Sequence, residues 1–309
     1  VSFAALDCGS NSTRLLIIDD QGRSLAREMR ITRLGEGVDA TGRLGDQAVE
    51  RCYATLREYR TLMDQHGVTR SALVATSAAR DATNGEKFLS AAAAITGADV
   101  ALLSGNEEAR LSFLGATADL PSSSLPTMIL DIGGGSSELA VEVAGGLATH
   151  SMQLGCVRVA ERVLGHGVVN NESRAATLAL IESELDHLFD SEPRFTSVLG
   201  AVRLVGLAGT VATLAQLDAG TSLYDRALVH HRLLSRALVN QWRDRLASET
   251  PAQRLTHPGM VVGREDVLAA GLFILSAVME RFEVSELISS ENDILDGVAA
   301  TLRDNQQII

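Results

Sequence analysis

Apolar and polar positions alternate in short runs near the start of the chain and again near its middle, and helical 3.6-residue periods fill most of the remainder. Phe3 to Leu6 and Leu15 to Ile18 predict two strands. Met128 to Leu130 and Leu139 to Val143 predict two more, and each pair is joined by a turn of small residues. In both places a third strand is expected after a glycine-containing turn, ending in Leu-Gly at Leu34-Gly35 and Leu154-Gly155. Helical periods run from Asp46 to His66, Glu86 to Ile95, Asn106 to Ala116, Glu172 to Phe189, Leu233 to Leu246, Arg264 to Phe282 and Asn292 to Arg303. Strands are expected among them at Ala72 to Ala75, Val100 to Leu103, Arg203 to Leu207 and Glu286 to Ser289. This mixed order predicts α/β sheets covered by helices.

The two meanders are copies of one another. Leu6-Asp7-Cys8-Gly9-Ser10-Asn11-Ser12-Thr13-Arg14-Leu15 recurs as Leu130-Asp131-Ile132-Gly133-Gly134-Gly135-Ser136-Ser137-Glu138-Leu139, with Leu, Asp, Gly, Ser and Leu coinciding. The repeat spans two half-chains, far longer than a solenoid period. The segment Asp119 to Pro126 has linker chemistry and precedes the second copy, so the expected domains are 1–120 and 121–309, with a return of the last helix onto the first domain left open.

Composition narrows the chemistry. The 309 residues carry a net charge of −12, which opposes broad binding to nucleic acid or to an anionic membrane. All but Lys87 of the 27 positive residues are arginine, so a phosphate ligand would meet planar guanidinium forks, although a GC-rich genome produces the same bias. Cys8, Cys52 and Cys156 are far apart and form no metal or disulfide pattern. A cytoplasmic location is expected, because the first residues read as a strand rather than a basic leader and no apolar run reaches the ~20 residues of a membrane span.

In each copy an aspartate ends a strand and small residues turn the chain. Glycines let backbone N–H groups approach an anion and serine hydroxyls add donors, so Gly9, Ser10, Asn11, Ser12 and Gly133, Gly134, Gly135, Ser136 are candidate phosphate hairpins. A hairpin with no ligand is the bland alternative for either one alone; the duplication favours phosphate. Asp7 and Asp131 beside an anion would be repulsive without a divalent cation, which points to Mg²⁺, unless each merely caps its own turn. Arg14 stands where the second copy has Glu138. The arginine suits a phosphoryl oxygen and the glutamate suits metal, water or proton handling, while an outward-pointing pair is the alternative.

Ser104-Gly-Asn-Glu107 fits a capping box, which gives Glu107 a structural reason to be present. Glu108 has none, and as a first-turn carboxylate past a strand end it is a candidate general base or a solvated side chain. Arg80 and Asn84 follow another strand end and could reach an anion. Gly209 and Thr210 occupy a strand-to-helix turn of the kind that meets phosphate. Arg226 to Arg245 is the most basic window, a candidate polyanion track or a solvated helix face.

Taken together, Asp-x-Gly-Ser-Asn-Ser-x-Arg-Leu, Thr-Ser-Ala-x-Arg-x-Ala-x-Asn, Ser-Gly-x-Glu-Glu-Ala-Arg-Leu, Asp-Ile-Gly-Gly-Gly-Ser-x-Glu-Leu, Leu-Gly-x-Val-Arg and Gly-x-Ala-Gly-Thr resemble the exopolyphosphatase and guanosine pentaphosphate phosphatase (Ppx/GppA) family. The resemblance implies two ribonuclease H-like domains of the actin and sugar-kinase superfamily, flanking a cleft. It implies Mg²⁺-dependent hydrolysis of terminal phosphate from inorganic polyphosphate, or of the 5′ γ-phosphate of guanosine pentaphosphate. It places catalytic roles on Glu108 and Glu138, phosphate loops on residues 7–12 and 133–136, and a phosphate contact on Arg80. The expected metal set is Asp131, Glu138 and Asp7, and a homodimer is left open. Longer relatives add helical HD-type domains, so short or medium polyphosphate is the expected substrate here. The acidic stretch Ser289 to Gly297 replaces a glycine-rich, basic one, which weakens the expected grip on a nucleotide or a long polyanion. A kinase on the same scaffold and a non-catalytic phosphate sensor are the competing functions.

Overall fold

In the computed structural model, which describes residues 1–308, the chain forms two compact units. The first comprises residues 1–118 and 292–309, and the second residues 119–291.

The first unit holds a five-stranded sheet. Its strands are β1 (Ser2–Cys8), β2 (Ser12–Asp19), β3 (Ser24–Ile31), β4 (Val68–Ala75) and β5 (Asp99–Leu102), in the order β3-β2-β1-β4-β5. The antiparallel meander comes first, and β4 and β5 then add in parallel after helical crossovers. β1 is buried at nearly every position, as a strand covered on both faces must be. Leu6, Leu15, Ile17 and Leu73 pack on one face with Cys52, Leu56 and Tyr59 of the helix Asp46–Gln65. Phe3, Ala5, Leu16, Ile18 and Val74 pack on the other with Leu111 of the helix Gly105–Thr117 and Ile294, Leu295, Val298 and Leu302 of the helix Ile294–Arg303.

That last helix corrects the expected domain limits, because it belongs to the first unit. Its amphipathic face has an apolar sheet to cover, and two glycines let it approach. A Cβ on Gly115 would lie 1.9 Å from the Asp293 carbonyl oxygen, and one on Gly297 would lie 2.0 Å from that of Leu111. The two helices therefore cross at backbone contact.

The second unit repeats the plan with one strand more. β6 (Thr127–Ile132), β7 (Ser137–Val143), β8 (Gly146–Met152), β9 (Arg203–Leu207), β10 (Leu233–Ser235) and β11 (Glu286–Ser289) lie in the order β10-β11-β9-β6-β7-β8. Its core runs from Leu130 and Leu139 through Leu204 and Leu214 to Phe273 and Phe282. The helix expected from Leu233 is broken. Leu233–Ser235 pairs antiparallel with β11, and the Ser235 hydroxyl then caps a helix Arg236–Ala247 by accepting from the Leu238 amide. No helix among the described residues is long and apolar enough to cross a membrane.

Candidate active site

The two predicted hairpins form and close alike. The Gly9 amide donates to the Ser12 carbonyl at 3.0 Å, and the Gly133 amide donates to the Ser136 carbonyl at 3.0 Å. Neighbours hold each turn from behind. In the first unit the Gly35 amide donates to the Ser10 carbonyl, the Thr32 and Arg33 amides donate to that of Asn11, and the Ser10 and Ser77 hydroxyls lie 3.1 Å apart. The Asn11 amide nitrogen Nδ2 is buried with no hydrogen-bond partner among the described residues, a donor at the hairpin left for something else. In the second unit the amides of Cys156, Val157 and Arg158 donate to the carbonyls of Gly133 and Gly134. Gly155 must be glycine, since a Cβ would lie 2.1 Å from the Gly134 oxygen.

Behind the turns the copies diverge. Asp7 faces Arg14 across β1 and β2, and Arg14 Nε and Nη2 donate to Asp7 Oδ2 at 2.9 and 2.7 Å. Nη1 of the same guanidinium donates to Asp293. Burial pushes the Asp7 carboxyl above the ordinary range, and Arg14 pulls it part of the way back. Arg14 is thus engaged by two carboxylates, and Asp7 has a cation of the chain beside it.

Asp131 faces Glu138 across β6 and β7, which sets their Cβ atoms about 5 Å apart on one side of the sheet. Both are buried, Glu138 completely. Glu138 Oε1 accepts from the Ser151 hydroxyl at 2.8 Å on the next strand. Two buried carboxylates at that spacing oppose each other's ionisation unless a cation intervenes. Hard oxygen donors on two carboxylates suit Mg²⁺, so the residues fit the ion.

Glu107 and Glu108 separate as expected. Ser104 caps the helix, and its amide and hydroxyl donate to Glu107 Oε2 at 2.7 and 2.6 Å, holding the Glu107 carboxyl below the usual range. Glu108 turns inward, 8% exposed, with Arg80 Nη1 3.7 Å from its Oε2. Arg80 also donates to the Leu103 carbonyl at 2.7 Å, which fixes the guanidinium beside Glu108. Asn84 does not face an anion. Its amide bonds the backbone of Leu44 on both sides, at 2.8 and 3.0 Å.

Gly209 and Thr210 also serve inward. A Cβ on Gly209 would fall within 2.1 Å of three atoms of the buried Arg264 guanidinium, so the glycine seats an arginine that no local motif announced. Thr210 turns its hydroxyl to Gly271 and Cys156. Ala208, just before, has φ 63°, a strained left-handed turn into the helix. In the basic window Arg232 pairs with Asp218, Arg243 with Asp244 and Arg245 with Glu249. Asp119, His230 and His231 form a cluster of metal-ligand type that the sequence did not suggest. The Glu291 amide donates to His230 Nδ1, so Nε2 carries the proton and donates to Asp119 at 2.8 Å. That ring nitrogen is a donor rather than a ligand.

The chain is 37% identical to Exopolyphosphatase 2 of Mycobacterium tuberculosis, over 97% of this chain and 98% of that protein. A Ppx/GppA family member from Aquifex aeolicus superposes with a TM-score of 0.79 at 29% identity, covering 99% of each chain. An exopolyphosphatase structure from Cytophaga hutchinsonii has the same fold, with a TM-score of 0.90 at 24% identity over 100% of this chain and 99% of that one. The model of the Ppx/GppA phosphatase family matches residues 16–305, and this chain, two ribonuclease H-like units each carrying one hairpin, belongs to that family.

Proposed function

We propose that this protein is an exopolyphosphatase, which releases orthophosphate from the end of inorganic polyphosphate. The observation that carries this reading is the duplicated hairpin, closed in both units by the same 3.0 Å amide bond, in a chain whose relative is named Exopolyphosphatase 2. Amides and hydroxyls of residues 9–12 and 133–136 bind phosphate oxygens. Water attacks the terminal phosphorus, a new P–O bond forms, and the anhydride P–O bond to the rest of the chain breaks. Glu108 orients that water and takes its proton, and Arg80 holds the carboxylate in position and screens its charge. Asp131 and Glu138 are the residues that would hold Mg²⁺. When bound, the ion neutralises charge on the phosphoryl oxygens, the main requirement of phosphoryl transfer.

A substrate panel tests the reading. Phosphate release is measured without any acceptor on short, medium and long polyphosphate and on guanosine pentaphosphate. Release from short and medium polyphosphate, weakening as salt screens the arginines, is expected. Preference for the nucleotide would move the assignment to the family's other activity, and no release without an acceptor would favour a kinase or a sensor.

A further inference from the structure

Asp293 has two oxygens with two different tasks. Oδ1 accepts from the Leu295 amide at 2.9 Å and caps the helix Ile294–Arg303, while Oδ2 accepts from Arg14. Its own amide donates to Asp296 Oδ2 at 2.8 Å, closing a capping box whose Asp296 also pairs with Arg27 at 2.5 Å. The helix is therefore held with Oδ2 aimed at β2. Arg14 gives Nε and Nη2 to Asp7 and Nη1 to Asp293, so two carboxylates share one guanidinium. This trio sits immediately behind the first hairpin, since Asp7 and Arg14 are the strand pair next to Cys8 and Thr13, which lead into the turn.

We propose that Asp293 is a positioning residue that sets how strongly the first hairpin holds phosphate, by occupying Arg14 and making a substrate phosphoryl group compete with two carboxylates for it. The proposal rests on the reading that residues 9–12 bind the phosphates of the substrate. A deliberately weak grip discriminates by number of phosphates: a ligand with several contiguous phosphates gains enough contacts elsewhere, and a single orthophosphate does not.

Asp293→Asn retains Oδ1 for the helix cap and removes the charge from Arg14. Asp293→Ser retains a capping hydroxyl by a different route and guards against misfolding of the first variant. Binding of inorganic tripolyphosphate and of orthophosphate to the full chain, in chelator so that turnover does not interfere, is measured by calorimetry at several salt concentrations. Both variants are expected to bind each anion about 3- to 10-fold more tightly and to lose affinity more steeply with salt, because the freed guanidinium makes a charge-assisted contact. In turnover assays KM should fall with no gain in kcat, a split that a merely structural role for Asp293 would not produce. Unchanged or weaker binding with an unchanged salt slope in folded variants would overturn the proposal, as would no detectable binding in any form. Failure of the unsubstituted protein to release phosphate from polyphosphate would bring down the proposed function instead, with tripolyphosphate binding still deciding the role of Asp293.

Discussion

The two hairpins share a backbone but differ in charge at one strand pair, and that difference sets their electrostatics apart. In the first, Asp7 meets Arg14 and the chain supplies its own cation. In the second, Asp131 meets Glu138 at the matching step of the ladder. A duplicated scaffold thus pairs its aspartate with a cation in one copy and with a second carboxylate in the other. Matching folds can carry opposite electrostatics when a single register position changes sign.

The sharpest way to break that contrast is to remove divalent ions. Exhaustive chelation should cut phosphate release by about three orders of magnitude or more, the scale of several kcal/mol of lost charge stabilisation, and added Mg²⁺ should restore it. Undiminished turnover in chelator would mean that the acidic copy is neutralised some other way. Next in size is Glu108. Glu108→Gln should lower kcat by about 10² to 10⁴-fold with little change in KM, whereas Glu107→Gln should leave the rate near normal and cost less than about 1 kcal/mol in a melting experiment. Equal losses in the two variants would put the base on the wrong carboxylate. The last test is of stability alone. Arg14→Met leaves Asp7 buried without its partner and should destabilise the protein by about 3–5 kcal/mol. Glu138→Gln, assayed in chelator, should have the opposite sign, a gain of about 1 kcal/mol from relieving like charge. Urea unfolding of both variants decides it, and two losses of similar size would erase the distinction between the copies.

Much of this was legible along the chain because the signals are local. The strand, small-residue turn and strand of each hairpin occupy about ten consecutive positions, and the capping box that explains Glu107 spans four, so Glu108 stood out by elimination. What escaped was set by distant pairing. Arg14 read as a phosphate ligand because its second partner, Asp293, lies 279 positions away. Where the final helix packs stayed open because nothing near it announces that Gly297 will meet the backbone of Leu111. Leu233 to Ser235 fitted a helical period and became an edge strand because β11 offered backbone partners. Among the arginines of residues 226–245, the pairing of Arg232 with Asp218 was not legible, because Asp218 lies outside that window.

The helix crossing at Gly115 and Gly297 also has a bearing on how the protein is made. Synthesis proceeds from the N-terminal end, so the sheet face lined by Phe3, Leu16 and Val74 is left without Leu295 and Val298 while the whole of residues 119–291 is being translated. The second unit is continuous in sequence and has all its strands before the first is complete. The strands of the first unit, although they precede those of the second in the chain, are then the last to be fully covered, and during that interval it is their partly covered apolar face that a nascent-chain chaperone would hold.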